Sequence, residues 1–548
     1  MAAALPLSRP RPEPSPIVRI GLPWPSFGVV MGAILAALSL VPYALAYLLT
    51  PPGHHFAGFF FIADDATTYL AKMQQGADGA WLWTDPYTSE PHQGVFLFGF
   101  YLLFGHLSAL LHIPMIAGYH LAGVSGALCL GLAVGRLAER TVPTNIRRLA
   151  VVLALLGSGL GFLAPLAGNI TIAGQPLEAL DLHLPELSGW YSIMAIPHFA
   201  WAAALVVLAL LSLLDIAGRP SPAPVIRTGA LLLGLAVIHP QMVAVVAVVW
   251  SAYRVLMVAW GERPRLTSLL AEAAAFLIAA PLFAYDALIL FKDPTVSEWA
   301  SQWRHQAPNL PSLLLALGLP LLAGCLGSYV AWRRRDRRLA PLLVWPPVVI
   351  LLVYLPNVVN IQRRLIDAVY VPVGLLAAVG LEHFLARFPV AHARRLRRML
   401  VPLFCLSSAL VLAIALRFAS GAFPEAYIAQ DQWAALTWLS DHHRTDDRVL
   451  STPGMGLFIP AWSATPVYVG HYSETLDYFQ KIRTVSQVLK PSTSPDSIRT
   501  FFAANGISLL YWGPGERDAL DFDPDRQPYL TPVYREETVM IYRVLALP

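Results

Sequence analysis

Long apolar stretches separated by short polar segments occupy the first 420 residues of the chain. An α-helix needs about 20 predominantly apolar residues to cross a bilayer. Stretches that approach this length predict membrane spans near 27–50, 114–135, 147–167, 195–215, 268–291, 311–331, 340–356, 367–388 and 399–418. Residues 93–111 and 228–257 are also apolar, and His239-Pro240 interrupts the second of them. The pattern predicts a polytopic α-helical membrane domain over residues 27–420.

Arginine clusters indicate which ends of these stretches face the cytoplasm. Loops rich in Arg or Lys are retained on the cytoplasmic side, and the clusters lie at 136–148, 263–265, 333–338 and 394–398. They share one side if 93–135 makes one net crossing and 228–257 forms two short helices that meet near the outer surface at His239-Pro240. This topology has roughly 11 crossings and a cytoplasmic tail, residues 1–26, whose Pro-rich composition predicts disorder. The predicted outer loops are 51–92, 168–195, 292–309 and 357–366.

From residue 421 the composition changes to that of a soluble domain. We predict helices at 432–440, 474–489 and 494–505, and strands at 448–451, 467–470, 508–512 and 539–544. Such alternation predicts a small extracytoplasmic α/β domain over residues 421–548 with a partly parallel sheet. The GMG segment at 454–456 is interpreted as a turn. The GHYSET segment at 470–475 lies between a strand and a helix, where functional loops are common, although a structural cap is equally consistent with it.

Composition supports the membrane assignment. Hydrophobic residues make up 56% of the chain, charged residues make up 13%, and the mean hydropathy is +0.56. A soluble domain carries about 25% charged residues, so an ordinary soluble protein is excluded. The net charge of +4 is small, and nucleic acid is not an expected partner because the chain has no basic stripe with interleaved aromatic residues. Cys129, Cys325 and Cys405 lie in apolar runs, which predicts small hydrophobes rather than a disulfide framework.

Two adjacent carboxylates, Asp64 and Asp65, follow the first predicted span. Ionised groups are costly near a bilayer and usually have a function there. At the outer surface the pair would face both water and lipid headgroups, where an enzyme drawing its substrate from the membrane needs its catalytic groups. The alternative interpretation is structural, with one of the two acids capping the helix that starts at Ala66.

A possible metal site lies in the second outer loop. Asp181 and His183 are two residues apart, so their side chains share one side of an extended segment. Together with Asp64 or Asp65 they could hold Mg²⁺ or Mn²⁺. Ordinary loop acids in water are the alternative.

Aromatic and acidic residues also occur together in the third outer loop. Glu298, Trp299, Trp303 and His305 suit stacking on a sugar ring and hydrogen bonding to its hydroxyl groups. We therefore predict that Glu298 and Trp299 bind substrate. An interfacial aromatic belt would give the same composition.

Two arginines, Arg363 and Arg364, lie in the fourth outer loop against the topological bias. The guanidinium group forms bidentate contacts with phosphate, so these residues are candidates for binding a lipid phosphate; snorkelling to lipid headgroups is the alternative. His239, at the break between two helices, and His198, at the outer end of a span, are further candidates for the same substrate site.

The chain resembles the GT-C superfamily of integral-membrane glycosyltransferases. The matching features are an acidic motif in the first outer loop, many spans, and a soluble C-terminal domain on the outer side. Three stretches are similar to segments of bacterial members: YLPNVVNIQRRLIDAVYVPVGLLAAVGL, IPAWSATPVYVGHYSETLDYFQKI and LLYWGPGER. The resemblance implies a bacterial plasma-membrane enzyme that uses a polyprenyl-phosphate-linked sugar as donor and a glycan, lipid or protein as acceptor.

The resemblance also implies a mechanism. Asp64 or Asp65 would accept the proton of the acceptor hydroxyl, Arg363 and Arg364 would stabilise the departing phosphate, and a single displacement would invert the anomeric centre. The WWDYG signature of oligosaccharyltransferases is absent, so asparagine glycosylation is not assigned. Protein O-mannosyltransferases have Asp-Glu where this chain has Asp-Asp, which leaves metal dependence open.

A transporter or flippase of lipid-linked glycans, without catalysis, is the alternative function. Such proteins keep coupling charges at mid-span positions. Here Asp215, Glu272 and Asp286 lie near predicted span ends, where water can reach them. The sequence therefore favours the enzyme.

Overall fold

The computed structural model describes residues 27–545 except 165–169, 173, 303–304, 356–360 and 423, so the predicted N-terminal tail lies outside the described residues. The helices up to residue 417 are α1 (Phe27–Leu48), α2 (Ala63–Ala77), α3 (Gly99–Leu111), α4 (Met115–Thr141), α5 (Arg147–Leu156), α6 (Gly189–Met194), α7 (Pro197–Gly218), α8 (Pro222–Ile238), α9 (Pro240–Ala259), α10 (Leu266–Lys292), α11 (Pro294–Gln302), α12 (Leu310–Arg334), α13 (Ala340–Val353), α14 (Tyr370–Leu385), α15 (Val390–Phe404) and α16 (Leu406–Arg417).

Several of these helices can cross a membrane. Within the described residues, seven helical segments are long and apolar enough to do so, or eight if the bent pair α15–α16 forms one span. Shorter apolar helices, α3, α8 and α13, lie among them. The chain is therefore a multi-pass membrane protein, as predicted, whereas the count of roughly 11 crossings is not confirmed. The break at His239-Pro240 is present, because α8 ends at Ile238 and α9 begins at Pro240.

The predicted span at 147–167 is wrong in its extent, because α5 ends at Leu156. The chain then passes directly against α12. A Cβ atom on Gly159 would lie 2.3 Å from the carbonyl oxygens of Leu315 and Ala316, and the Leu160 N–H donates to the Leu315 carbonyl at 2.9 Å. Glycine permits this backbone contact, which takes the place of the α-helix predicted directly after Leu156.

Small residues bring α1 and α4 into direct backbone contact. Gly28 and Gly32 on α1 face Gly131 and Gly135 on α4, and a Cβ atom on Gly131 would lie 2.4 Å from the Gly28 carbonyl oxygen. Helices in membranes commonly associate through small residues four positions apart. Burial of apolar side chains contributes little to this association, because the lipid tails are also apolar.

We expect Gly131→Ala to lower the thermal unfolding temperature of the detergent-solubilised protein, because the added methyl group must push two backbones apart at a cost of about 1–3 kcal/mol. Gly123→Ala on the same helix is the matched control, since its nearest neighbour would lie 4.0 Å away. Equal unfolding temperatures for the two variants in a thermal scan would contradict the close α1–α4 contact.

The C-terminal region is a small α/β domain, as predicted. Its helices are α17 (Gln430–His442), α18 (Pro453–Ser463), α19 (Tyr478–Val488), α20 (Pro495–Ala504) and α21 (Pro514–Ala519). Two short two-stranded sheets contain β1 (His54–Phe56) with β4 (Tyr427–Ala429) and β2 (Thr171–Ile172) with β3 (Gln175–Pro176). The sheet of the C-terminal domain contains β5 (Val449–Leu450), β6 (Leu509–Trp512), β7 (Leu530–Arg535) and β8 (Met540–Val544). The sheet order is β5-β6-β8-β7, with β5 and β6 parallel and the other pairs antiparallel. The predicted strand at 467–470 is reduced to one bridge between Val449 and Val467.

The interpretation of the GMG segment as a turn is wrong, because residues 454–456 lie in the first turn and a half of α18. Pro453 occupies the first turn of this helix, a position that suits its fixed φ. A Cβ atom on Gly456 would lie 2.1 Å from the Val469 carbonyl oxygen, and one on Gly470 would lie 2.6 Å from the Gly456 carbonyl oxygen. The glycines therefore let α18 support the segment that precedes His471.

The C-terminal domain contacts the first predicted outer loop directly. β1 and β4 pair antiparallel, with His54 opposite Ala429, and the Val467 N–H donates to the Pro86 carbonyl at 2.8 Å. Residues 51–92 and the C-terminal domain thus lie on the same side of the helices.

Candidate active site

Asp65 lies in the first turn of α2 and faces His471 of the C-terminal domain. α2 begins at Ala63 after Ile62, which has a left-handed backbone conformation, and no side-chain hydrogen bond caps the helix. The alternative interpretation of the acidic pair as a helix cap is therefore wrong. Instead, Oδ1 of Asp65 lies 3.4 Å from Nε2 of His471, which is buried at the start of the loop that follows Gly470.

The environment acts differently on the two carboxyl groups. Burial tends to raise the pKa of Asp65, but the hydrogen bond and charge of His471, together with Arg364 and Lys72, hold that pKa below its ordinary value. Asp64 is exposed on the helix surface, and desolvation, opposed by His471, raises its pKa. Nearby positive charge favours the ionised form of a carboxyl group, so Asp65 is the member of the pair that is more firmly held as a carboxylate.

A buried ion pair fixes the His471 loop against α2. Nζ of Lys72 lies 2.6 Å from Oε1 of Glu474, and both side chains are almost fully buried. The ammonium group also lies 4.3 Å from the centre of the Phe98 ring, a cation–π contact. Burial, and then the charge of Glu474, raise the pKa of the nearby Asp85 carboxyl well above its usual range. The pair therefore joins the first loop to the C-terminal domain through buried charges.

Arg363 and Arg364 share one buried carboxylate. Nη1 of Arg364 donates to Oε1 of Glu186 at 3.1 Å, and Nε of Arg363 lies 3.7 Å from the same oxygen. Desolvation and the two arginines lower the pKa of His305 to about 3, so its neutral ring accepts a hydrogen bond from Nη2 of Arg363 at 3.1 Å. Two guanidinium groups facing one carboxylate leave positive charge that suits an anion such as phosphate.

A cavity of about 420 Å³ reaches from this cluster into the membrane domain. Arg364, His198, His239 and Trp299 line it together with Tyr69 of α2. The walls are mostly apolar and aromatic, and they include Phe96, Phe98, Phe100, Val237, Leu282 and Leu290. The structure therefore brings four predicted substrate-binding residues to one cavity, one helical turn from Asp65.

The histidines of the cavity are held in place by polar partners. Nδ1 of His198 lies 2.6 Å from the Tyr101 hydroxyl, and the Tyr101 ring stacks on Tyr69 at 4.2 Å. Nδ1 of His239 lies 3.2 Å from the buried carboxylate of Asp367. The two imidazole rings meet edge to face at 4.7 Å. Their orientation is therefore fixed, which a substrate site requires.

Other predicted site residues lie elsewhere. Glu298 is exposed on α11, whereas its neighbour Trp299 packs against Trp83. Trp303 lies outside the described residues. Oδ2 of Asp181 accepts from the Gly161 N–H at 3.3 Å, and His183 is exposed.

The predicted metal ligands do not form a metal site in the part of the chain that the structure describes. There, no group of three or more His, Cys, Asp or Glu side chains could hold a metal ion. Mg²⁺ and Mn²⁺ need several oxygen ligands at once, and Asp181 with His183 does not meet this need. The dependence on Mg²⁺ or Mn²⁺ stays a prediction, and no step of the chemistry is assigned to a metal.

Sequence reasoning missed the partners of the key residues. Glu186 and His471 both lie in segments that the sequence marks as loops, yet nothing in the linear pattern pairs Glu186 with Arg364 or His471 with Asp65. Lys72 is the exception. A lysine within the apolar face of a helix is rarely buried without a partner, and this predicts a buried acidic partner for it.

Solved structures share the fold of this chain, although no protein-family model and no curated protein sequence matches it. ArnT from Cupriavidus metallidurans bound to undecaprenyl phosphate aligns with a TM-score of 0.52 at 13% identity, over 95% of this chain and 99% of that one. The Archaeoglobus fulgidus oligosaccharyltransferase tethered with an acceptor peptide containing the NVT sequon aligns with a TM-score of 0.51 at 15% identity, over 89% of this chain and 69% of that one. At these identities the likeness concerns the fold, and the fold predicted from the sequence is confirmed.

Proposed function

We propose that this chain, a multi-pass membrane protein with the GT-C glycosyltransferase fold, is a glycosyltransferase that moves a sugar from a polyprenyl-phosphate donor to an acceptor hydroxyl on the outer face of the membrane. One observation carries the proposal. The ionised carboxylate of Asp65 lies one helical turn from a cavity whose wall contains Arg364 and which continues into the apolar membrane domain. A base, a phosphate-binding group and a path for a lipid are thus adjacent.

The donor fits this cavity by its chemistry. A polyprenyl chain needs apolar walls, its phosphate needs a cation at the headgroup level, and its sugar needs polar and aromatic contacts. The apolar lining of the cavity suits the polyprenyl chain, and Arg364 suits the phosphate. The sugar would contact His198, His239 and Trp299. ArnT, which shares the fold, binds undecaprenyl phosphate, and this supports a lipid phosphate as the ligand.

The reaction follows from these positions. The acceptor oxygen attacks the anomeric carbon, the bond from that carbon to the phosphate oxygen breaks, and the phosphate leaves with the electron pair beside Arg363 and Arg364. The hydroxyl becomes strongly acidic only as its bond to carbon forms, so a carboxylate of low pKa such as Asp65 can accept the proton late in the step. Before this transfer, His471, whose Nε2 lies 3.4 Å from Oδ1 of Asp65, stabilises the charge and orientation of the carboxylate. One displacement inverts the anomeric centre.

The distribution of arginine clusters supports a site on the outer face of the membrane. Asp65, Glu186, His305 and Arg364 come from the four loops predicted to lie opposite the arginine clusters, and they converge with the C-terminal domain. Because cytoplasmic loops retain Arg, the site belongs on the extracytoplasmic side, with the N-terminus in the cytoplasm.

The test is sugar transfer by the purified protein in liposomes. Polyprenyl phosphates carrying radiolabelled hexoses, pentoses or aminosugars are offered together with the glycolipid extract and the protein fraction of the source membranes. We expect label in a new covalent product with an inverted anomeric linkage, and no use of water-soluble nucleotide sugars without a lipid donor. A labelled lipid that crosses the bilayer without forming a product would instead support the flippase, and retention of configuration would contradict the single displacement.

A further inference from the structure

The loop from Gly470 to Leu476 is held rigidly in the C-terminal domain. Oγ1 of Thr475 accepts from the Gly470 N–H at 3.0 Å and donates to the Tyr87 carbonyl at 2.8 Å. The Leu476 N–H donates to Oγ1 of Thr88 at 3.2 Å. With the buried ion pair of Lys72 and Glu474, these bonds tie the C-terminal half of the loop to residues 51–92 and close the loop on itself at Gly470.

One residue of this rigid loop departs from the pattern of burial. His471, Glu474, Thr475 and Leu476 are buried, whereas Tyr472 keeps 56% of its surface exposed. More than half of this ring is thus free to contact a ligand, and an amphipathic tyrosine fixed beside an active-site cleft suits that role.

The exposed ring lies beside the candidate base. Its centre is 4.8 Å from that of the His471 ring, and His471 in turn contacts Asp65 at 3.4 Å. Desolvation raises the pKa of Tyr472, the charges of Asp65 and Asp64 raise it further, and Arg363 and Arg364 lower it. Tyr472 therefore lies within electrostatic range of both the carboxylates and the arginines, at the side of the site that is open to water.

We propose that Tyr472 is the platform on which a sugar ring of the acceptor stacks, and that the acceptor is therefore a carbohydrate rather than a protein. The C–H face of a pyranose packs on an aromatic ring through dispersion and weak C–H contacts. The exposed carboxylate of Asp64 is placed to accept hydrogen bonds from neighbouring hydroxyl groups, while the hydroxyl that reacts points to Asp65. This inference rests on the proposed function and names its acceptor class.

The experiment measures transfer in liposomes at saturating labelled donor, with the glycolipid extract of the source membranes titrated as acceptor. Tyr472→Leu keeps an apolar side chain but removes the aromatic ring, and we expect the amount of extract needed for half-maximal rate to rise about 5- to 10-fold. Tyr472→Phe and Tyr472→Trp keep a ring and should stay within about twofold of wild type. The KM for the donor should not change in any of them. Ser486→Ala, on the exposed surface of α19, is the control for substitution in this domain.

The outcomes separate the two proposals. If wild type transfers sugar but Tyr472→Leu has the wild-type acceptor dependence, or if the label enters only the protein fraction, the carbohydrate platform is overturned and the glycosyltransferase stands. If wild type transfers no sugar from any donor, both are overturned. A fall in unfolding temperature of Tyr472→Leu that Tyr472→Phe shares would assign the residue to folding and overturn the platform as well.

Discussion

Asp65→Asn is expected to lower the rate of sugar transfer by about 10²- to 10⁴-fold, which is the contribution of a positioned general base. Asn has nearly the shape of Asp but cannot accept the proton of the acceptor hydroxyl. Asp64→Asn should retain most of the rate at saturating acceptor, because Asn still accepts hydrogen bonds from substrate hydroxyl groups and residue 64 lacks the contact that Asp65 makes with His471. The measurement is the initial rate at saturating donor and acceptor, on protein whose amount and unfolding temperature are checked in the same preparation. A larger loss for Asp64→Asn would transfer the role to that residue.

The pH dependence of the transfer rate is a second test of the role of Asp65. The pKa of Asp65 is held below the ordinary 3.8, so the carboxylate is ionised throughout the neutral and mildly acidic range. Its contribution to stability is present above 3.8 and is lost as the pH falls through the lowered pKa of the folded state. We therefore expect no loss of rate from protonation of Asp65 between about pH 8 and pH 5. An acid limb within this range that moves to another pH in Asp65→Glu would contradict the lowered pKa.

Glu474→Gln is expected to have the largest effect on stability, at about 3–5 kcal/mol, because it leaves the buried ammonium group of Lys72 without its counter-charge. The His471 loop is held by this ion pair, so the rate of transfer should fall as well. Thermal unfolding of the purified protein measures the first effect, and the transfer assay measures the second. Asp523→Asn is the control, because it breaks the exposed pair with Arg526, and exposed pairs contribute little.

A double-mutant cycle separates the contribution of the ion pair to stability from other contributions of Glu474. Lys72→Met combined with Glu474→Gln removes both charges, and a buried pair replaced by neutral groups often costs less than either single change. We expect the double variant to be more stable than Glu474→Gln alone. Additive losses would show that the two side chains act independently, in conflict with their 2.6 Å contact.

The sequence predicted the membrane domain and singled out four residues that line the cavity, because both leave local signals. Apolar length locates most of the helices, and the proline at 240 marks the break beside His239. Two adjacent acids in a predicted outer loop are recognisable from the sequence alone. The same holds for arginines in a predicted outer loop, where arginine is normally rare. Arg364, His198, His239 and Trp299 were each proposed on such grounds, and they line a single cavity.

The remaining features depend on contacts between distant parts of the chain. The pairs Asp65–His471, Arg364–Glu186 and Lys72–Glu474 join segments that no periodicity relates. The prediction of a turn at the GMG segment was wrong for a similar reason. Gly456 allows α18 to pack closely against the backbone at Val469, and this contact is tertiary rather than local. The extent of α5 is likewise limited by the backbone of α12. Single-sequence patterns report local geometry and burial, whereas these features arise from packing between elements.

The ion pair between Lys72 and Glu474 joins residues that are 402 positions apart, and this spacing has a consequence for biosynthesis. The ribosome makes the acidic helix early and the histidine loop only after the intervening spans have been synthesised. A nascent chain therefore carries Asp65 without His471 until the C-terminal domain has been synthesised, folds and docks. Under the proposed function, competence for sugar transfer arises in that one late step, and a partly inserted chain does not consume the donor during its assembly.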